Sequence, residues 1–152
     1  MNIRGIYNTT AQCMDNKNMS KIFEDICKSA FNGDIVNLHF LLKHKIDLNQ
    51  IGKKWTPLHS AIEGGNLECL NLLIEISGAD IEYIGSDGEG TPLDHAVDIS
   101  IQVNNNTGGR EGDENVEIIK ALLEFGADPK TAIQTAKGYG SKKIIQILES
   151  YC

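Results

Sequence analysis

The chain has 152 residues, 41% of them hydrophobic and 23% charged, and its formal net charge at pH 7 is −7. This acidic balance excludes a nucleic-acid backbone as the main partner, because such partners are bound through basic patches. No stretch approaches the ~20 apolar residues that a membrane span needs. Residues 1–7 also lack the apolar run of a secretory signal peptide. Together these features predict one folded domain without a membrane segment.

The four cysteines stand at positions 13, 27, 69 and 152. No pair of them has the spacing of a metal site. Cys27 and Cys69 fall on apolar faces of predicted helices, which indicates reduced thiols in the protein interior. Free thiols are typical of a reducing compartment, so the sequence predicts a cytoplasmic protein.

Residues 1–18 are polar and show no periodicity, and we predict that they form a mobile N-terminal extension. Ser20 or Asn18 can cap the first helix of the domain that follows, over residues 19–152. The apolar residues of this helix recur every three or four positions: Ile22, Phe23, Ile26 and Ala30. A turn at Gly33 and Asp34 leads into a second amphipathic helix.

Two stretches open a helix in the same way, Thr56-Pro57-Leu58-His59-Ser60-Ala61 after Trp55 and Thr91-Pro92-Leu93-Asp94-His95-Ala96 after Gly90. In each, the threonine hydroxyl can cap the first turn. The proline stands at the first helical position, where no N–H is needed. Two such starts in a short chain indicate an internal repeat.

Each of these starts has a matching end further along the chain. Leu72-Leu73-Ile74 is followed by Gly78-Ala79-Asp80, and Leu122-Leu123-Glu124 is followed by Gly126-Ala127-Asp128. The glycine can end a helix in a left-handed conformation, and the aspartate can begin a turn. The order Thr-Pro-Leu-His-x-Ala, Gly, Leu-Leu, Gly-Ala-Asp resembles the ankyrin repeat.

The resemblance implies an all-α ankyrin-repeat solenoid of four helix-pair repeats with short β-hairpin fingers. The repeats would cover about residues 20–51, 52–84, 85–129 and 130–152. The third repeat departs from the family pattern through an insertion at about residues 99–113, whose apolar part would lengthen the first helix and whose Asn/Gly-rich part would form a loop. The fourth repeat lacks a finger, and either Asp128-Pro129 or Thr131 can cap its first helix.

Four side chains offer an alternative based on metal or acid–base chemistry: His59, Asp94, His95 and Asp98. Asp94 and Asp98 are four residues apart on one helix face, and two carboxylates with an imidazole can hold a divalent ion. The resemblance favours a structural role, since His59 is the family's motif histidine, which bonds to neighbouring loops. Asp94 occupies the same position in the third repeat. We therefore predict neither a metal nor a cofactor.

The resemblance implies a non-catalytic protein that binds another protein through its concave groove, its fingers and the insertion. Trp55 at the finger base is the candidate aromatic anchor, with two basic neighbours. The full set of candidate binding residues is Phe31, Asn32, Lys53, Lys54, Trp55, Glu63, Asp87, Glu89, Asp98, Arg110 and Glu111. Several of these are acidic, which favours a partner with a basic surface.

Small size and an acidic groove suggest an inhibitor or immunity-type protein that masks a toxin or enzyme and is monomeric when unbound. In its small size the chain resembles the stand-alone ankyrin proteins of bacteria. A regulatory adaptor or scaffold is the alternative, and a metal-dependent hydrolase that uses Asp94, His95 and Asp98 is a third possibility.

Overall fold

The computed structural model describes residues 15–50, 55–85, 88 and 90–152. These residues form eight α-helices and one 3-10 turn and contain no strand. The helices are α1 (Asn16–Asn32), α2 (Ile35–Leu41), α3 (Pro57–Glu63), α4 (Leu67–Ser77), α5 (Pro92–Asn106), α6 (Glu117–Glu124), α7 (Lys130–Tyr139) and α8 (Lys142–Glu149), and the 3-10 turn (Leu42–His44) follows α2. No helix in this part of the chain is both long and apolar enough to cross a bilayer.

Consecutive helices pack in pairs, α1 with α2, α3 with α4, α5 with α6 and α7 with α8. The first helices of the pairs stack in the order α1, α3, α5, α7, and the second helices α2, α4 and α6 pack on one another in the same order as an outer layer. Each pair therefore covers the apolar side of its neighbour, which is how a helical solenoid obtains a continuous core.

The core contains the leucines that the repeated pattern places on the inner sides of the helices. Leu58, Leu73, Leu93 and Leu122 are buried, with at most 1% of each residue exposed. Burial raises the pKa of the Cys69 thiol, and the charges of Glu68 and Asp34 add to this shift. Cys69 and Cys152 are free thiols in the structure.

The Thr-Pro starts form as predicted. Thr56 and Thr91 are extended N-cap residues, and Pro57 and Pro92 are the first helical residues of α3 and α5. In α5 the cap is reciprocal, because Thr91 Oγ1 accepts from the Asp94 backbone N–H while the Asp94 carboxylate accepts from the Thr91 N–H. Such a capping box satisfies two backbone donors that would otherwise lack partners.

Three helix ends differ from the sequence-based expectation or decide between its alternatives. The first helix is capped by Asp15, which accepts from Asn18 N at 2.9 Å, and not by Asn18 or Ser20. The α5 helix continues through Asn106, so Asn104 to Asn106 are helical and not part of a loop. For α7, Asp128 accepts from Lys130 N at 3.0 Å, whereas Thr131 bonds elsewhere.

The cause of the longer α5 helix lies in its last turn. The Thr107 hydroxyl donates to the Val103 carbonyl at 2.8 Å, and the Gly109 N–H donates to the Asn104 carbonyl at 2.8 Å. Asn104 Nδ2 also donates to the Arg110 carbonyl at 3.0 Å. These bonds satisfy groups that a helix end leaves free, so the asparagines need not leave the helix.

The predicted β-hairpin finger before α5 is not confirmed, since the described residues there form turns and irregular backbone. Most of the predicted N-terminal extension lies outside the described residues. The same holds for Lys53, Lys54, Asp87 and Glu89, four of the candidate binding residues.

Candidate protein-binding surface

An aromatic cluster joins the start of α3 to the start of α5. The Trp55 ring lies 4.9 Å from the His95 ring and 5.8 Å from the His59 ring, measured between centroids. The Tyr83 ring also contacts His59, with 6.4 Å between the ring centroids. Trp55 remains 40% exposed, whereas His59 is buried and its Nδ1 lies 2.8 Å from Thr56 Oγ1. The motif histidine thus supports a tryptophan that still faces solvent.

Glu63, at the end of α3, is connected to this cluster through His95. His95 Nε2 donates to Glu63 Oε2 at 2.9 Å, because the carboxylate can only accept. The Glu63 side chain is 40% exposed. Trp55 and Glu63, predicted separately as binding residues, are therefore parts of one contact set.

Asp98 occupies the position in α5 that Glu63 occupies in α3, seven residues after the capping threonine. Its Oδ2 accepts from Gln102 Nε2 at 2.6 Å, and its Oδ1 accepts from the Tyr139 hydroxyl of α7. The bond to this carboxylate raises the pKa of Tyr139, the Gln102 contact opposes that effect, and burial and the Asp98 charge add to it. Tyr139 is 47% exposed.

Sequence reasoning did not identify Tyr139 as a candidate. The only signal was its position between Gly138 and Gly140, at the turn that ends α7. The residue becomes a candidate because α5 and α7 pack side by side and bring its hydroxyl to Asp98.

Phe31 and Asn32 form the last turn of α1, next to the α3–α4 turn. The Asn66 amide of that turn donates to the carbonyls of Ala30 and Phe31 at 3.0 and 2.6 Å. Phe31 itself is 49% exposed. We call the set of Phe31, Trp55, Glu63, His95, Asp98 and Tyr139, which lie on or directly before the first helices of the four pairs, the inner-helix face.

The structure does not bring the four possible metal ligands together. Asp94 Oδ2 accepts from Thr91 N, Thr91 Oγ1 and Thr131 Oγ1, at 2.8, 3.1 and 3.0 Å. Its Oδ1 accepts no hydrogen bond from the described residues. Asp98 bonds to Tyr139, and His95 bonds to Glu63. Within the described ranges no group of three or more His, Cys, Asp or Glu side chains is arranged to hold a metal ion.

Arg110 and Glu111 lie in the loop between α5 and α6, which is attached to α8. Lys142 Nζ lies 3.7 Å from Glu111 Oε1. Lys143 Nζ donates to the carbonyls of Gly112 and Glu114 at 2.8 Å each. These contacts direct the loop toward the last helix pair, so Arg110 and Glu111 are separate from the Trp55 cluster.

The loop is held by Glu114, a buried carboxylate that the sequence analysis did not single out. Its Oε1 accepts from Ser141 Oγ and its Oε2 from Gly112 N, both at 2.8 Å. Burial alone would raise the pKa of Glu114. Hydrogen bonds from its own backbone, Ser141 and Gly112, together with the Lys143 charge, outweigh burial and lower the pKa overall.

We expect Glu114→Gln to destabilise the protein by about 1–2 kcal/mol at pH 7, because the amide cannot accept both bonds as a carboxylate does. The lowered pKa means that the carboxylate's contribution is present above the pKa of the unfolded chain, about 4.3. It is lost as the pH falls through the lower value of the folded state. Urea unfolding at pH 7, 5, 4 and 3 should show that the difference in free energy of unfolding between wild type and Glu114→Gln becomes smaller at acidic pH.

The control for this prediction is Glu124→Gln, which removes an exposed carboxylate of α6. It should leave the free energy of unfolding nearly unchanged at every pH. An equal difference between wild type and Glu114→Gln at pH 7 and pH 3 would contradict the role assigned to the Glu114 charge.

The stacked helix pairs, the Thr-Pro starts and the buried motif histidine define a helical repeat protein. The family model described as "Ankyrin repeats (3 copies)" matches residues 26–102, about half of the chain. This chain belongs to the ankyrin-repeat family, whose members generally serve as protein–protein interaction modules.

Proposed function

We propose that the protein binds the basic surface of another protein through the inner-helix face and thereby masks that partner. The observation that carries the proposal is the exposure of three aromatic side chains on or next to the stacked inner helices, together with two carboxylates. Phe31, Trp55 and Tyr139 are 40–49% exposed, Glu63 bonds to His95 beside Trp55, and Asp98 bonds to Tyr139. Exposed aromatic side chains of this kind are typical centres of binding energy.

The face is also held in place before any partner arrives. Glu63 is fixed by His95, and Asp98 is fixed by Tyr139 and Gln102. Side chains that are ordered in advance lose less conformational entropy on binding. The two carboxylates and the net charge of −7 support attraction to a basic partner.

The proposal extends to the organisation of the chain. We take the four helix pairs as four repeats, the last being α7–α8, because α7 packs on α5 as α5 packs on α3. The Thr131 hydroxyl supports this, since it bonds to Asp94 of the preceding repeat. In this view the unbound protein is a cytoplasmic monomer, in keeping with the free thiols of Cys69 and Cys152.

The experiment compares two double variants with the wild type as tagged baits in a lysate of the source organism. Glu63→Gln/Asp98→Asn removes both charges of the inner-helix face at nearly constant size. Val36→Ala/Phe40→Ala is the control, because both residues are exposed on α2 in the outer layer. A bound basic protein should be retained at least tenfold less by the first variant and normally by the control.

The captured partner then decides between masking and scaffolding. A masking inhibitor should abolish the partner's activity at a 1:1 molar ratio, whereas an adaptor should bind and leave that activity unchanged. Equal retention by both double variants, or no protein specific to the wild type, would contradict binding through the inner-helix face.

A further inference from the structure

The α5 helix extends beyond the helix on which it packs. Thr56 and Thr91 cap corresponding starts, so the end of α3 at Glu63 corresponds to Asp98 in α5. Residues 99–106 of α5 therefore have no counterpart in α3. Because α3 ends earlier, it does not cover the side of this extension that faces the preceding repeat.

An apolar cleft of about 320 Å³ lies at this step, and we call it the α5 cleft. One wall is the α5 extension, the second is the turn at Gly64 and Gly65, and the third is the start of α6. The apolar lining residues are Ile62, Ala96, Ile99, Val103, Ile118 and Ile119. Val103 is 54% exposed.

The turn beside the cleft lines it with two glycines, Gly64 and Gly65. A Cβ atom built on Gly65 would meet no atom within 4 Å. The α5 cleft is therefore open to an extended segment of chain, and its volume lies at the small end of ligand sites, which start at about 300 Å³.

The charge around the cleft has one sign. Among the described residues, those that line it include two carboxylates, Glu63 and Asp113, and no Lys, Arg or His. Glu63 also belongs to the inner-helix face, so the two surfaces are continuous. A partner on that face can therefore place a segment in the cleft.

We propose that the α5 cleft binds one leucine or phenylalanine side chain from an extended segment of the partner, with an arginine or lysine beside it. This proposal rests on the function proposed above and names the chemistry that the partner presents there. The apolar side chain fills the cleft, where burial supplies most of the affinity. The neighbouring cation lies against Glu63 and Asp113, whose charge selects it.

Three synthetic peptides test this chemistry without the natural partner: acetyl-Gly-Arg-Leu-Arg-Gly-amide, the same peptide with Ala for Leu, and the same peptide with Glu for both Arg. Each is titrated into ¹⁵N-labelled protein while amide NMR signals are recorded. The Arg-Leu-Arg peptide should shift the signals of Gly64, Gly65 and Thr107. The Ala peptide should bind about tenfold more weakly, and the Glu peptide should give no saturable shift.

Two variants of α5 locate the site. Val103→Gln places a polar amide on the cleft wall and should abolish the shifts caused by the Arg-Leu-Arg peptide. Asn105→Gln makes a comparable change at an exposed position that does not line the cleft, and it should bind like the wild type. Both positions are exposed, so both variants should keep the wild-type spectrum.

Several outcomes would overturn the proposal: no saturable shift with the Arg-Leu-Arg peptide, equal binding of the Glu peptide, or unchanged binding to Val103→Gln. These results concern the α5 cleft alone. If a captured partner is lost by Glu63→Gln/Asp98→Asn but retained by Val103→Gln, the cleft proposal fails and the proposed function stands. If the peptide binds as expected while both double variants retain the partner equally, the result contradicts partner binding through the inner-helix face and leaves the cleft proposal intact.

Discussion

Replacing Leu73 by alanine is expected to lower the free energy of unfolding by about 2–5 kcal/mol. Leu73 lies in α4 and is completely buried. Its removal takes apolar surface out of the core and leaves a cavity between helix pairs that cannot fully collapse. Chemical denaturation in urea, followed by circular dichroism at 222 nm, measures the loss.

The matched control is Ile76→Ala, three residues further along α4, where the side chain is 60% exposed. Deleting an exposed side chain from a helix should change the free energy of unfolding by no more than about 0.5 kcal/mol. If Leu73→Ala lowers the free energy of unfolding by less than about 1 kcal/mol, the assignment of Leu73 to the core is wrong, because a buried leucine should cost more.

The second large effect is expected from Gly64→Ala, at the turn between α3 and α4. A Cβ atom on Gly64 would lie 2.1 Å from the Phe31 carbonyl oxygen, which also accepts a hydrogen bond from Asn66. The Phe31 carbonyl is part of the backbone and cannot rotate away, so the clash is relieved only if α1 moves away from the turn. That movement weakens both the packing of α1 on the turn and the hydrogen bond from Asn66. We expect a cost of about 3 kcal/mol, the upper end of ordinary overpacking.

This effect is steric and not conformational, because the φ of Gly64 is −76°, a value that alanine adopts easily. Gly138→Ala is the control, since a Cβ atom there would meet nothing within 4 Å and the residue lies inside α7. That variant should gain up to about 1 kcal/mol from better helix propensity. Similar thermal unfolding curves for the two variants would contradict the close approach of α1 to the turn.

Local chemistry made much of the fold predictable. A threonine followed by a proline determines both the capping group and the first helical residue, so the starts of α3 and α5 were correct. The first helix was harder, because Asp15, Asn18 and Ser20 can all cap a helix and lie within one and a half turns. The end of α5 was missed because asparagine is a weak helix former, and bonds between the last turn and the residues that directly follow it decide the outcome.

The candidate surface depended on register between helix pairs, which no local pattern contains. Tyr139 and Asp98 are 41 positions apart, and Ser141 and Glu114 are 27 apart. His95 was grouped with possible metal ligands because it stands next to Asp94 in the sequence. In the structure its side chain reaches α3 instead and joins Trp55 to Glu63.

The attachment of the α5–α6 loop to α8 affects how the chain opens. In a linear array of helix pairs, the terminal units have only one neighbour and are the first to fray. Here the contacts of Glu114 and Lys143 tie the terminal helix to a segment that precedes α6. Separation of α8 from the loop must break these bonds, so we expect the last two pairs to open together more often than neighbouring pairs without such a tie.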